Sequence, residues 1–166
     1  MVAVPTGAPR LAASDVEGWD LTGRRRTVGL TTPGLWTLLF FLGSHCDGCL
    51  PFWTVSRSRE SCGLEPEDRV VVVTRGPRRE EPAALVELVA ASMRGDAAAA
   101  ASGTLVMSSS SWDAYRVLGP PFFVLVDGVA VVTEGVAWSV EQVAADVARA
   151  RRREAGEAGR RPRVGR

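Results

Sequence analysis

The chain has 166 residues, of which 46% are hydrophobic and 23% charged, with a formal net charge of +1. That length suits one domain with a core large enough to fold without disulfide or metal staples. The balanced charge calls for no polyanionic partner, and three cysteines are too few, and odd in number, for a disulfide scaffold. The longest strongly apolar run, Leu38–Leu42, is far too short to span a bilayer.

Residues 1–27 are rich in Gly, Pro and charge. They read as an N-terminal arm, loosely structured, with room for a short edge hairpin turning at Gly23. Met1–Arg10 lacks a basic segment followed by an apolar run, the pattern of a signal peptide. With no apolar run long enough to span a bilayer either, this leads to an expected cytoplasmic location, whose reducing conditions are compatible with catalytic rather than structural cysteines. The folded domain is expected over 28–152, with Thr27–Leu30 as a short strand. Trp36–Leu42 is nearly all apolar and bounded by Pro33-Gly34 and Gly43-Ser44, the pattern of a central strand covered on both faces. A helix is predicted from Cys46 towards Arg57, kinked because Pro51 lacks the N–H that would reach Asp47. Val70–Thr74 reads as a second parallel strand. A helix opening at Pro82 follows, with Leu85, Val86, Leu88, Val89 and Met93 as its buried stripe.

The polyalanine run 96–102 suits a short helix before a strand at Thr104–Met107. Ser108–Ser111 reads as a polar loop capping a short helix that starts near Trp112. Phe122–Val126 and Val129–Thr133 form a hairpin across Asp127-Gly128. Ser139 and Gln142 have capping-box spacing, and Val140, Val143, Ala144, Val147 and Ala148 continue as an amphipathic terminal helix. Residues 153–166 read as a basic, disordered tail, whose arginines give only slight support to nucleic-acid binding. The resulting order, β-α-β-α-β-α-β-β-α after the arm, implies an α/β fold: a central mixed β-sheet with helices on both faces.

The chemistry-bearing motif is Cys46-Asp47-Gly48-Cys49 at the junction of the buried strand and the next helix. Open α/β sheets place their sites at such strand ends. At the first turn, residues three apart share a face, and orphan N–H groups favour a thiolate at the leading cysteine. Cys46 is then the attacking sulfur and Cys49, beneath Leu50, Phe52 and Trp53, the resolving one. Gly48 lets a partner approach. Asp47 opposes the thiolate by like charge, and His45, the single histidine, is the imidazole able to compensate. Two buried thiols, chance, or half a metal site remain alternatives. A zinc set of Cys46, Cys49, Cys62 and His45 is disfavoured because adjacent residues fit one tetrahedron poorly, so no metal is expected. Cys62 reads as a spare thiol.

These motifs resemble the thioredoxin-like family, closest to its TlpA and MauD-type thiol–disulfide branch. The resemblance covers about residues 9–150. It rests on Gly23-Arg24-Arg25 before a short apolar pair, on Leu38–Leu42 followed by His45–Cys49, and on Gly119-Pro120-Pro121-Phe122 running into the hairpin. It implies a thioredoxin-like fold, a cis Pro121 packed beside Cys46, and disulfide exchange with a protein or small thiol through a mixed disulfide on Cys46, with no cofactor. Three positions depart from the family. His45 replaces an aromatic, Phe40 stands where a buried acid is common, and Pro120 removes a backbone donor to bound substrate. Trp53 is the tryptophan best placed to line a partner groove; Trp36, Trp112 and Trp138 read as core or flank. A thioredoxin-fold scaffold that uses its thiols little, and a thiol peroxidase-like enzyme, are the competing functions. Oligomeric state and direction of exchange are not legible.

Overall fold

The computed structural model describes residues 9–55, 59–92 and 104–160. Seven strands form one mixed sheet: β1 (Val16–Trp19), β2 (Arg25–Val28), β3 (Thr37–Phe41), β4 (Arg69–Thr74), β5 (Thr104–Met107), β6 (Phe122–Val126) and β7 (Val131–Val136). Their spatial order is β2-β1-β5-β4-β3-β6-β7. β3 runs parallel to β4, and β4 parallel to β5; β1 and β2 on one flank and β6 and β7 on the other are antiparallel. The helices are α1 (Leu50–Val55), α2 (Pro82–Ser92), α3 (Ser109–Ala114) and α4 (Val140–Arg160), with 3₁₀ turns at Asp47–Cys49 and Glu60–Cys62.

The unbroken apolarity of β3 has its reason in two cores. Leu38, Phe40 and Leu42 point to one face, where they meet Phe52, Leu85, Val143 and Val147 from α1, α2 and α4. Leu39 and Phe41 point to the other, against Trp112 and Tyr115. Phe41 lies edge-on to the Trp112 ring, with centroids 5.4 Å apart. Each such buried side chain contributes roughly 1.5–3 kcal/mol of transfer free energy, so burial on both faces makes β3 a firm base for whatever follows it.

The segment expected as a loose arm is integrated into the sheet from residue 11 onward. Val16 is fully buried, the β1–β2 hairpin turns at Gly23 (φ 84°), and Ala12 bridges Ala130. Ser14 donates its N–H to the Tyr115 hydroxyl at 2.9 Å, and that hydroxyl donates to the Ser14 carbonyl at 2.6 Å. Polar composition concealed these long-range bonds.

Three further differences have local causes. α4 continues through residues 153–160, assigned above to a tail, because Ala, Arg and Glu are strong helix formers whatever their charge. Arg10 also pairs with Glu154 at 2.7 Å. α3 starts at Ser109 rather than near Trp112, since the Ser108 side chain accepts from the Ser111 N–H and so caps it earlier. Val86, placed above in a buried stripe, is exposed, while Leu85 is buried and Leu88 and Val89 pack against the core. Met93 and the polyalanine run 96–102 lie outside the described residues. The capping box at α4 forms: the Gln142 N–H donates to Ser139 Oγ at 3.1 Å, and Ser139 N–H to Gln142 Oε1 at 3.4 Å.

Candidate active site

β3 hands the chain on through Leu42, whose N–H still donates to the Val73 carbonyl at 3.2 Å. Gly43-Ser44-His45 then turns the backbone, and Cys46 sits in an extended conformation (φ −130°, ψ 104°) ahead of the 3₁₀ turn. The Cys49 N–H donates to the Cys46 carbonyl at 3.0 Å, and the Leu50 N–H to that of Asp47. Pro51 has no N–H with which to claim Asp47 in an α-helical bond. The first turn therefore tightens to 3₁₀ and the α-helix begins at Leu50, which is the form taken by the expected kink. Arg57 lies outside the described residues.

Cys46 and Cys49 are joined by a disulfide, with Cα atoms 5.3 Å apart. The pair is asymmetric. Cys49 is fully buried among Phe52, Trp53 and the β3 side chains, whereas Cys46 is half-buried and His45, Asp47 and Gly48 around it are exposed. The Pro120–Pro121 peptide is cis. Pro121 lies directly over the motif: a Cβ on Gly48 would stand 3.5 Å from its Cδ and 3.6 Å from its Cγ. A larger residue than glycine would thus fill the space between the redox turn and this loop. The Pro121 carbonyl accepts from the Ala137 N–H at 3.0 Å, which ties the end of β7 to the same surface.

The structure brings Cys46, Cys49, Gly48, Pro121 and Pro120 together, with His45 and Asp47 on the open side. It does not bring Trp53 to a groove. That ring is 3% exposed and faces the core, because it follows Phe52 on a helix whose inner face covers β3. Phe40 packs at a tilt against Phe52, centroids 5.5 Å apart, in the same buried cluster as Cys49. Cys62 is a buried thiol outside the disulfide, and burial pushes its pKa up to about 11. It remains protonated at neutral pH and is a poor nucleophile. Among the described residues, no group of three or more His, Cys, Asp or Glu is placed to hold a metal ion.

Sequence reasoning missed Glu80. It lies in the loop between β4 and α2, and its carboxylate accepts two hydrogen bonds from Ser44: one from the N–H at 3.1 Å and one from Oγ. Nothing local marks it among Arg78, Arg79 and Glu81. The available signal is topological, since β4 lies parallel beside β3 and the two strands end on the same side of the sheet.

A mixed sheet with this strand order, helices on both faces and a dithiol where the central strand ends is a thioredoxin-like α/β fold. Known structures agree. A thioredoxin-like protein from Aeropyrum pernix shares 16% identity over 81% of this chain and 89% of its own, with a TM-score of 0.59. A secreted Mycobacterium tuberculosis disulfide oxidoreductase homologous to E. coli DsbE shares 19% over 80% of this chain and 94% of its own, also at 0.59. MTB dsbF, in mixed oxidized and reduced forms, shares 21% over 81% and 93%, at 0.58. No protein-family model and no curated protein matches the sequence.

The expected cytoplasmic location is corrected by these similarities, which include a secreted oxidoreductase. A dithiol of this fold serves oxidising or reducing compartments according to its potential, so catalytic cysteines do not distinguish the two.

Proposed function

We propose that this chain is a thiol–disulfide oxidoreductase in which Cys46 exchanges with a partner and Cys49 resolves the mixed disulfide. The carrying observation is the asymmetry of the pair: two bonded sulfurs at the end of β3, one reachable and one sealed in the core. In the reducing direction the Cys46 thiolate attacks one sulfur of the partner disulfide, and the partner's other sulfur leaves as a thiolate. The Cys49 thiolate then attacks Cys46 Sγ, closing the Cys46–Cys49 bond and releasing the partner's second thiol. Two electrons pass to the partner, and the reverse sequence oxidises it. No metal or flavin takes part in either step.

Pro121 and Pro120 form one wall of the proposed binding surface. Both lack an N–H, so an extended partner strand meets carbonyl acceptors at most and is held largely by side-chain contact. Exposed apolar residues support that mode: Leu118, 95% exposed, precedes the proline pair, Leu50 follows Cys49, and Trp138, 81% exposed, adjoins Ala137. His45 and Asp47 flank the reactive sulfur. Trp53, sealed in the core, has no place in this surface. Within the thioredoxin-like class, the β1–β2 hairpin ahead of the redox strand supports a place in the TlpA and MauD-type branch.

The test is turnover. The protein with dithiothreitol should accelerate insulin reduction, and its oxidised form should oxidise a reduced dithiol peptide, while Cys46→Ser abolishes both. Turnover of hydrogen peroxide exceeding that of insulin would instead assign a peroxidase, and no turnover of either would assign a scaffold.

A further inference from the structure

We propose that Glu80 is the acidic positioning residue of this redox site: its carboxylate clamps the turn that carries Cys46 and sets a negative charge beside that sulfur. The inference rests on the reading of Cys46 as the reactive thiol and goes on to say what tunes it.

Three observations converge. First, Ser44, two residues before Cys46, gives both its N–H and its hydroxyl to the Glu80 carboxylate. The two bonds fix a turn that otherwise has only glycine and exposed histidine to define it. Second, Glu80 is itself held. The Gly76 carbonyl accepts the N–H groups of Arg79 at 2.9 Å and Glu80 at 3.0 Å, and the Gly76 N–H donates to Ser109 Oγ at 2.8 Å. The loop is thus a hydrogen-bonded turn pinned to the start of α3, and the carboxylate is presented by a fixed backbone. Third, the site is close. The point that a Cβ on Gly43 would occupy lies 3.2 Å from Glu80 Oε1, 3.6 Å from Pro120 Cγ and 3.8 Å from Cys46 Cβ. Carboxylate, proline loop and reactive cysteine therefore surround one small space that glycine leaves open.

The chemistry follows from Coulomb's law. At a separation of about 7 Å, a carboxylate disfavours the thiolate of a partly exposed sulfur by about three- to tenfold for effective permittivities of about 80 down to about 35. Stabilisation of the thiolate is what makes a dithiol oxidising, so Glu80 holds the pair toward the reducing end. Among the described residues, the titratable side chains on the same turn as Cys46 are His45 and Asp47, and Arg78, Arg79 and Glu81 on the β4–α2 loop are exposed. The proline loop packed on the other side carries no charge at Pro120 or Pro121.

Glu80→Gln keeps an acceptor for Ser44 and removes the charge. In chemically reduced protein, thiolate absorbance against pH should show a three- to tenfold larger thiolate fraction at a given pH below the midpoint. The glutathione equilibrium should shift by up to tenfold toward the dithiol, about 30 mV upward. Ser44→Ala keeps the charge and loosens the clamp, so it should slow exchange while moving the titration less. A Glu80→Gln titration and equilibrium superimposable on the wild type, at unchanged Tm, overturns the inference and leaves Glu80 a structural anchor. Should that variant fold poorly, the wild-type side-chain ¹³C signal of Glu80 decides. It should step with Cys46 ionisation in the reduced protein and not in the oxidised one, and absence of the step is equally fatal. Neither readout needs a partner, so a dithiol that proves inert in turnover assays would sink the proposed function without obscuring this result.

Discussion

Replacing the sealed sulfur should convert a transient intermediate into a stable adduct. In Cys49→Ser, glutathione disulfide can still meet Cys46, which is half-buried, but the resolving thiol that would displace the glutathionyl group is gone. The wild type holds its second sulfur within bonding reach, with Cα atoms 5.3 Å apart. Well-oriented intramolecular groups reach effective concentrations of about 10⁵ M or more. Against about 1 mM external thiol, even one part in 10⁵ of that advantage leaves resolution by Cys49 about 10³ times faster. The expected result by intact mass is a persistent single adduct at Cys46 in Cys49→Ser and rapid loss of adduct in the wild type. In Cys46→Ser, no adduct should form on the natively folded protein, because Cys49 is fully buried. Faster labelling of Cys46→Ser than of Cys49→Ser would refute the assignment of roles, since it would make the buried sulfur the reachable one.

The remaining expectations concern residues around this centre. Burial raises the Cys62 thiol from 9.0 to about 11. The folded state therefore holds that proton more tightly than the unfolded one, so stability is fully present below about pH 9 and declines from there toward 11. Cys62→Ala should flatten that decline by about 2 kcal/mol in urea melts, with redox turnover unchanged. Arg151 pairs with Asp68, which is 2% exposed, and lies 4.3 Å over the Trp36 ring. Arg151→Ala leaves that carboxylate buried with the Glu65 N–H at 2.8 Å. It should cost about 2–4 kcal/mol, the range lowered because Arg151 reaches solvent. Trp138→Ser should leave Tm and glutathione exchange unchanged, and raise KM for insulin several-fold if this ring holds a protein partner.

Much of the fold was legible because its strongest signals are local. Continuous apolarity marked β3 and β4, the Ser139–Gln142 spacing marked the start of α4, and Cys46–Cys49 stood at the strand-to-helix junction that the structure shows. What escaped depends on contacts distant in sequence. Trp53 stood beside the dithiol in sequence, but only the inward turn of α1 decides that it faces the core. The opening residues looked loose because their partners, Tyr115 and Ala130, lie about a hundred residues away. Glu80 reads as one charge in a polar loop until β4 is laid beside β3 and Ser44 is seen to hold it. Residues 153–160 carry the charge of a solvated tail, yet their Ala, Arg and Glu favour the helix that α4 continues.

The most direct test is a redox titration against mixtures of reduced and oxidised glutathione, read by alkylation and mass. One two-electron transition is expected, in which the Cys46 and Cys49 thiols appear and disappear together while Cys62 remains a thiol throughout. A pair that stays locked in one state across the whole series, or a transition that enlists Cys62, would contradict it.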